Sequence, residues 1–373
     1  MAIMIAEISE SQWWSRFHQK AAEQRIPFEA TIELTYGCNM RCVHCYNPTH
    51  EATGELAGEE IYAIIDQLAE QGTFHLVFTG GEIFTRRDVF EIFGYAKRKG
   101  FAITLFTNAT LISPGRADRI QALEPTNVEV SIFGATAETY ERVTGIQGSY
   151  KRFVRGVRLL CERKMPLLVK MAVMTLNQHE VQQAKAMVEG WGIRFVYSTE
   201  IHPRADQSPE PLNYRLMPQD VVRVNEQLVG YQEWRAEGGG EKQERCGADK
   251  GMFSCSCGKD SLTVTPYGEM NLCVALPIPK YDLKTGDVAS GWRSLVKLVE
   301  SARPSEAYDC PSCTLRPYCG QGPMDAWLET GDLSPCLPYF KELASLEKKA
   351  YEAASHKQGH EATGCTDDGF PSG

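Results

Sequence analysis

EATIELTYGCNMRCVHCYN, residues 29–47, joins a short β-rich run to three cysteines, and its reading decides the fold. The run EATIEL (29–34) is apolar and β-branched, and Cys38, Cys42 and Cys45 follow it at three-then-two spacing. Thiolates placed directly after a first strand hang over the carboxyl edge of a sheet. Three thiolates can hold three irons of a 4Fe–4S cube and leave the fourth iron open to a substrate. The competing use of the same residues is a zinc site completed by His44 or His50, because tetrahedral zinc accepts thiolate and imidazole together.

Outward from this stretch, strand and helix patterns alternate as far as residue 200. Further strands are read at FHLVFT (74–79), FAITLFT (101–107), NVEVSIF (127–133), LLVKMAVM (167–174) and IRFVYS (193–198). Helices are read at GEEIYAIIDQLAEQG (58–72) and RDVFEIFGYAKRKG (87–100). The second carries Val89, Ile92, Phe93 and Ala96 on one stripe and stops at glycine. Six strand–helix repeats predict an α/β fold with a parallel sheet, open or partly barrel-shaped. Sites in such folds lie at the carboxyl ends of the strands.

With FTGGE (78–82) after the second strand, LFTNAT (105–110) after the third and VSIFGA (130–135) after the fourth, the chain resembles the radical S-adenosylmethionine (SAM) superfamily. The resemblance covers roughly residues 29 to 200 and implies a partial (β/α)6 barrel. It implies that Cys38, Cys42 and Cys45 hold a 4Fe–4S cluster whose open iron chelates the amino and carboxylate groups of SAM. Gly80 and Gly81 would let backbone approach the ligand's amino group, with Glu82 as a charged neighbour. Thr107, Asn108 and Ser131 stand where the family contacts ribose or carboxylate, and His44 where a ring packs by the adenine. One-electron reduction would cleave SAM to methionine and a 5′-deoxyadenosyl radical that abstracts hydrogen. The cofactor carries that chemistry, so no protein acid–base pair is required and no general base is nominated.

Residues 246 to 336 resemble the SPASM domain, the auxiliary iron–sulfur module of radical SAM peptide maturases such as those of the pyrroloquinoline quinone type. Cys257, Gly268 and Cys273 fit its first half; Cys310-x2-Cys313-x5-Cys319 and Cys336 fit its second. The resemblance implies that the last four ligate one auxiliary 4Fe–4S cluster; a zinc ribbon on Cys310-Pro-Ser-Cys313 is the alternative. The family has a further cysteine past Cys319 that serves the other auxiliary cluster, and here that position is Pro323. The first auxiliary set is therefore expected to use Cys255, Cys257 and Cys273 with Cys246 as fourth ligand. An open iron site, a 2Fe–2S cluster or no cluster are the competing outcomes.

Composition agrees. Thirteen cysteines fall mostly in patches, which reads as metal binding rather than a disulfide framework. A net charge of −9 argues against nucleic-acid binding, and 43% apolar residues suffice for a large core. No apolar run approaches the roughly 20 residues of a membrane span, and the N-terminus lacks a signal-peptide pattern, so a cytoplasmic enzyme is expected.

The expected organisation is a helical extension (1–28), the core (29–200), a linker and helix (201–245), the auxiliary domain (246–340), and a closing helix with a polar tail (341–373). HPRADQSPEPLNYRLMP (202–218) holds four prolines and reads as an extended linker. Cys365 in the tail is not expected to ligate, and Cys161 reads as core. The Trp13–Trp14 pair is expected to anchor the N-terminal helix. Lys151, Arg155 and Arg158 share a helical stripe, read as a solvated face or as a dock for a flavodoxin-type electron donor or a leader peptide. The stretch before the first strand is too short for a winged-helix peptide-recognition domain, which points to a separate recognition protein or direct binding.

The expected function is modification of a ribosomally made peptide by cross-link, thioether or epimerisation. A radical SAM enzyme acting on a tetrapyrrole or other cofactor precursor is the second reading. A non-catalytic zinc-binding protein is the third.

Overall fold

A computed structural model describes residues 10–229, 252–253, 255–306 and 308–361; Cys246 and Cys365 lie outside them. The chain begins with α1 (Glu10–Gln24), which leads into β1 (Glu29–Glu33). Then follow α2 (Gly58–Glu70), β2 (His75–Thr79), α3 (Val89–Arg98), β3 (Ala102–Thr107), α4 (Pro114–Leu123) and β4 (Asn127–Ile132). Helices α5 (Ala137–Thr144) and α6 (Ser149–Glu162) lead to β5 (Leu167–Ala172), α7 (Val181–Gly190) and β6 (Arg194–Ser198). All six strands predicted from the sequence form, within two residues at each end.

Strands β1 to β6 pair in parallel in sequence order, the signature of repeated right-handed βα units. The sheet is not closed, because β6 pairs β5 and lies at the sheet's edge, as a partial (β/α)6 barrel requires. Its inner strands are buried on both sides: Leu76 and Phe78 on one face of β2 and Val77 on the other are buried, as are Ile103 and Leu105 on one face of β3 and Thr104 on the other. Local chemistry sets the helix ends. Ser113 caps α4 by accepting from Arg116 N–H ahead of Pro114, and Thr136 caps α5 by accepting from Thr139 N–H. Of the expected Trp13–Trp14 anchor, Trp14 makes its part: its ring lies 5.9 Å from Phe28 and 5.7 Å from His75, holding α1 against the amino ends of β1 and β2, while the Trp13 side chain lies outside the described ones.

Two features differ from the sequence expectation. After α8 (Pro218–Val229), strand β7 (Ser261–Val264) pairs in parallel with β1, Glu29 opposite Ser261 and Ile32 opposite Val264. Strands β8 (Glu269–Asn271) and β9 (Tyr281–Asp282) then pair antiparallel, giving one nine-stranded sheet in the order β6-β5-β4-β3-β2-β1-β7-β8-β9. The cysteine-rich region thus continues the core sheet. The physical reason is that β1 has a free edge until another strand covers it, and fully buried Leu262 and Val264 do so. Helices α9 (Val288–Ser301), α10 (Pro323–Thr330) and α11 (Pro338–Glu361) complete the chain.

The second difference is the proline-rich segment. It carries a 3₁₀ turn at Glu210–Tyr214 and acts as a strap. Ala205 N–H donates to Tyr46 O (2.9 Å), Gln207 donates to Trp327 O (2.6 Å), and Arg215 pairs with Glu329 (2.6 Å). Proline fixes φ and removes donors, but it does not prevent the residues between from bonding both flanks.

Candidate active site

The loop after β1 is pinned on every side before any ligand is considered. Arg41 N–H and Val43 N–H donate to Thr144 O and Val143 O at the end of α5 (2.9 and 3.0 Å). Asn39 donates to Thr110 Oγ1 (2.8 Å) and accepts from Asn108 Nδ2 (3.0 Å), tying the loop to the end of β3. Arg204 of the strap donates to Asn47 O (3.1 Å). Cys38, Cys42 and Cys45 consequently converge on a cavity of about 200 Å³ at the carboxyl ends of β1 to β4.

His44, Gly80, Gly81, Thr107, Asn108 and Ser131 line the same cavity, with Phe133 and Met40. Six of the seven cofactor residues expected from the sequence are therefore brought together. The seventh, Glu82, is not in the lining. It is wholly buried and accepts from Thr107 Oγ1 (2.8 Å), Asn108 N–H (2.7 Å) and Phe84 N–H (3.2 Å). Burial raises its pKa, and those donors oppose the rise. In this arrangement Glu82 fastens the end of β2 to the end of β3, so that Thr107 and Asn108 are held at the cavity wall.

The glycines have a second reason to be glycine. A Cβ on Gly80, whose φ is +136°, would lie 2.2 Å from Thr35 O; one on Gly81 would lie 2.5 Å from Gly37 O. The close approach is to the cysteine loop itself, and Gly81 N–H and Glu82 N–H donate to Thr35 O and Gly37 O (2.7 and 3.0 Å).

The residues fit an iron–sulfur cluster. Burial pushes the Cys38 thiol up to about 11, raises Cys45, and raises Cys42 furthest. Thiols in that setting become thiolates when a cationic group takes them as ligands. Cys38, Cys42 and Cys45 all line one cavity, and a donor set of three thiols suits three irons of a 4Fe–4S cluster. His44 adds a ligand-facing group: burial pushes its pKa down to about 4, its Nδ1 is buried with no hydrogen-bond partner, and its ring lies 5.0 Å from Phe133. A neutral imidazole with an unsatisfied nitrogen in the wall is a ready partner for a bound polar ligand.

The later cysteines form two groups. Cys257 stands in hydrogen-bonding contact with both Cys255 and Cys273; the contact pulls Cys255 down to about 6 and pushes Cys257 up. Cys310, Cys313, Cys319 and Cys336 line one smaller cavity, of about 60 Å³, together with Pro323. Pro323 is the first residue of α10, and Gly322 N–H donates to Asp325 Oδ2 (2.7 Å). Proline suits that position because the first helical N–H has no partner to lose. A helix start thus occupies the place where the family pattern has a cysteine.

Some elements of the site had no sequence signal. Glu33 is buried at the end of β1 and accepts from Tyr46 OH (3.0 Å) and Tyr36 OH (3.3 Å). Arg204 comes from a segment read as a linker. The periodicity of EATIEL shows a strand, but not that Glu33 meets two tyrosines from the following loop.

Residues 32–188 match the Radical SAM superfamily. The matched segment is a radical SAM domain. The superfamily's cofactors are a 4Fe–4S cluster and SAM, and the cysteine loop described above stands at the start of the matched segment. The chain is 26% identical over 328 residues to an AdoMet-dependent heme synthase of Methanosarcina barkeri, covering 82% of this chain and 94% of that one. It is 26% identical over 326 residues to the mycofactocin maturase MftC of Mycobacterium tuberculosis, covering 82% and 80%. Its fold is similar to that of Streptococcus suis SuiB in a crystal structure with the precursor peptide SuiA. The TM-score is 0.67 at 15% identity, over 90% of this chain and 82% of that one. Among the described residues no helix is long and apolar enough to cross a membrane.

Proposed function

We propose that this radical SAM enzyme is a peptide maturase. It abstracts hydrogen from a side chain or Cα of a ribosomally made peptide, leading to a cross-link, a thioether or an epimer. The observation that carries this reading is the pairing of a cavity lined by Cys38, Cys42 and Cys45 with two separate cysteine groups in the region that extends the same sheet. The resemblance to MftC and the fold shared with SuiB support it.

Cys38, Cys42 and Cys45 hold the cluster. When bound, the cluster supplies the electron that cleaves SAM to methionine and a 5′-deoxyadenosyl radical. The chain's own part is positioning. Glu82 sets Thr107 and Asn108, and Gly80 and Gly81 let β2 close on the cysteine loop. His44 and Phe133 form a wall of one imidazole and one apolar ring. Met40 and Phe106 add apolar surface that keeps water from the reacting atoms. Cys310, Cys313, Cys319 and Cys336 hold one auxiliary cluster, and Cys255, Cys257 and Cys273 hold another with Cys246. The enzyme works in the cytoplasm with a flavodoxin-type electron donor and either a separate recognition protein or direct contacts to its peptide.

Anaerobic incubation with SAM, a reductant and candidate precursor peptides tests this. A changed peptide mass together with 5′-deoxyadenosine supports it. The second reading, action on a tetrapyrrole precursor, is favoured by the match along 94% of the heme synthase. Product formed from a tetrapyrrole and from none of the peptides replaces the first reading with the second.

A further inference from the structure

Helix α9 carries a basic groove on its outer side, although the chain as a whole has a net charge of −9. The groove holds about 460 Å³, more than twice the SAM cavity, and is open to solvent. Arg293, Lys297 and Arg303 form its exposed cationic rim, and Arg25 joins them from the end of α1. Trp292 and Val296 supply an apolar floor; Trp292 is nearly buried and donates to Arg25 O (2.6 Å). One carboxylate, Glu300, faces the groove and pairs with Arg25 at 3.0 Å, so cations remain in excess.

The inner side of the same helix packs against Gly258, the chain neighbour of Cys257. A Cβ on Gly258 would meet Val299 Cγ2 at 2.6 Å and Leu295 O at 3.3 Å. Cys255, two residues before Cys257, is exposed. The groove and the Cys257–Gly258 loop therefore lie on opposite sides of α9.

We propose that the α9 groove is the docking surface for an acidic one-electron carrier protein. The partner's class follows from three observations: a cationic rim on an acidic chain, a shallow open shape, and the Cys257–Gly258 loop on the opposite side of α9. Electron-transfer complexes are small and weak, and they are guided by complementary charge. One electron passes from the reduced carrier, which is oxidised by one electron, to the iron centre held by Cys255, Cys257 and Cys273, which is reduced by one. No bond forms or breaks, and no proton is transferred. The stripe of Lys151, Arg155 and Arg158 on α6 is the rival basic surface; all three residues are exposed, but α6 leads into β5, on the other side of β1 from β7 in the sheet order.

This inference rests on the iron-binding reading of Cys255, Cys257 and Cys273. A variant carrying Arg293→Glu and Lys297→Glu is compared with wild type and with Lys151→Glu/Arg155→Glu. All substituted residues are solvent-exposed. The probe is a reduced flavodoxin, an acidic flavin carrier. Its affinity is measured by anaerobic titration, and its electron transfer by stopped-flow absorbance. The expected result is affinity about 10-fold weaker or more for the α9 variant, and salt-sensitive binding in wild type. Reduction by dithionite and the iron content should remain unchanged. Unchanged carrier affinity in the α9 variant overturns the proposal. So does loss in the α6 variant instead, or lost binding of a precursor peptide with carrier binding intact. Iron content left unchanged by Cys257→Ala/Cys273→Ala overturns the iron-binding reading, a distinguishable failure.

Discussion

Thr107 Oγ1 lies 2.8 Å from one carboxylate oxygen of Glu82 and 3.0 Å from the other, so the end of β3 is tied to the end of β2 beside the cavity that Cys38, Cys42 and Cys45 line. Asn108 N–H and Phe84 N–H complete the shell around this buried carboxylate. Within the GGE motif Gly80 and Gly81 line the cavity, while Glu82 acts as a buried acceptor behind its wall.

Glu82→Gln puts an amide NH₂ where only acceptors are wanted. It should cost about 1–3 kcal/mol of stability, the scale of an unsatisfied buried polar group, and weaken SAM binding. Thermal unfolding and equilibrium dialysis with SAM measure the two effects; a variant indistinguishable from wild type in both contradicts the role assigned to Glu82.

Gly81→Ala meets two carbonyl oxygens, at 2.5 Å from Gly37 O and 2.6 Å from Tyr36 O. Backbone cannot yield as a flexible side chain does. A loss of about 1–3 kcal/mol is expected, with reduced iron retention in the first cluster. Iron and sulfide content after desalting gives the readout.

Glu33 gives a pH signature. Burial pushes its pKa up to about 8, against the tyrosine hydroxyls that pull it down. The folded chain then binds one more proton than the unfolded chain between the ordinary carboxylate pKa and about 8, so stability falls as pH rises through that window. Glu33→Gln should flatten this slope in denaturation curves between about pH 5 and 8. An unchanged slope would show that Glu33 is ionised at low pH in the fold.

His202 Nδ1 stands 3.0 Å from Asp325 Oδ1, at ion-pair distance without hydrogen-bond alignment. Burial lowers the His202 pKa, and Asp325 more than offsets it, so the net shift is upward. Its stabilisation is complete below the ordinary histidine pKa and is lost as pH rises through the folded value. Asp325→Asn should remove that dependence and loosen Gly322 at the start of α10. The expected cost is about 1–3 kcal/mol, read by denaturation at two pH values.

Much of this was legible in the sequence because it is local. The six core strands announce themselves by composition, and Cys38, Cys42 and Cys45 by spacing. Long-range pairing was not legible. The joining of β7 to β1 links residues more than 200 positions apart, and nothing in SLTV names its partner. Glu82 was read as a ligand neighbour because the motif shows residue types, whereas the direction of its side chain depends on where β3 ends. Arg204 and His202 were hidden in a proline-rich segment whose composition describes backbone stiffness rather than what the intervening side chains reach.

The most direct test is 5′-deoxyadenosine formation by anaerobically prepared wild type and Cys42→Ala, with iron and acid-labile sulfide measured on both. Wild type should contain iron and sulfide and form 5′-deoxyadenosine on reduction with SAM. Cys42→Ala should form none while keeping the iron held by the later cysteines. Formation of 5′-deoxyadenosine by Cys42→Ala, or zinc without sulfide in wild type, would contradict the account.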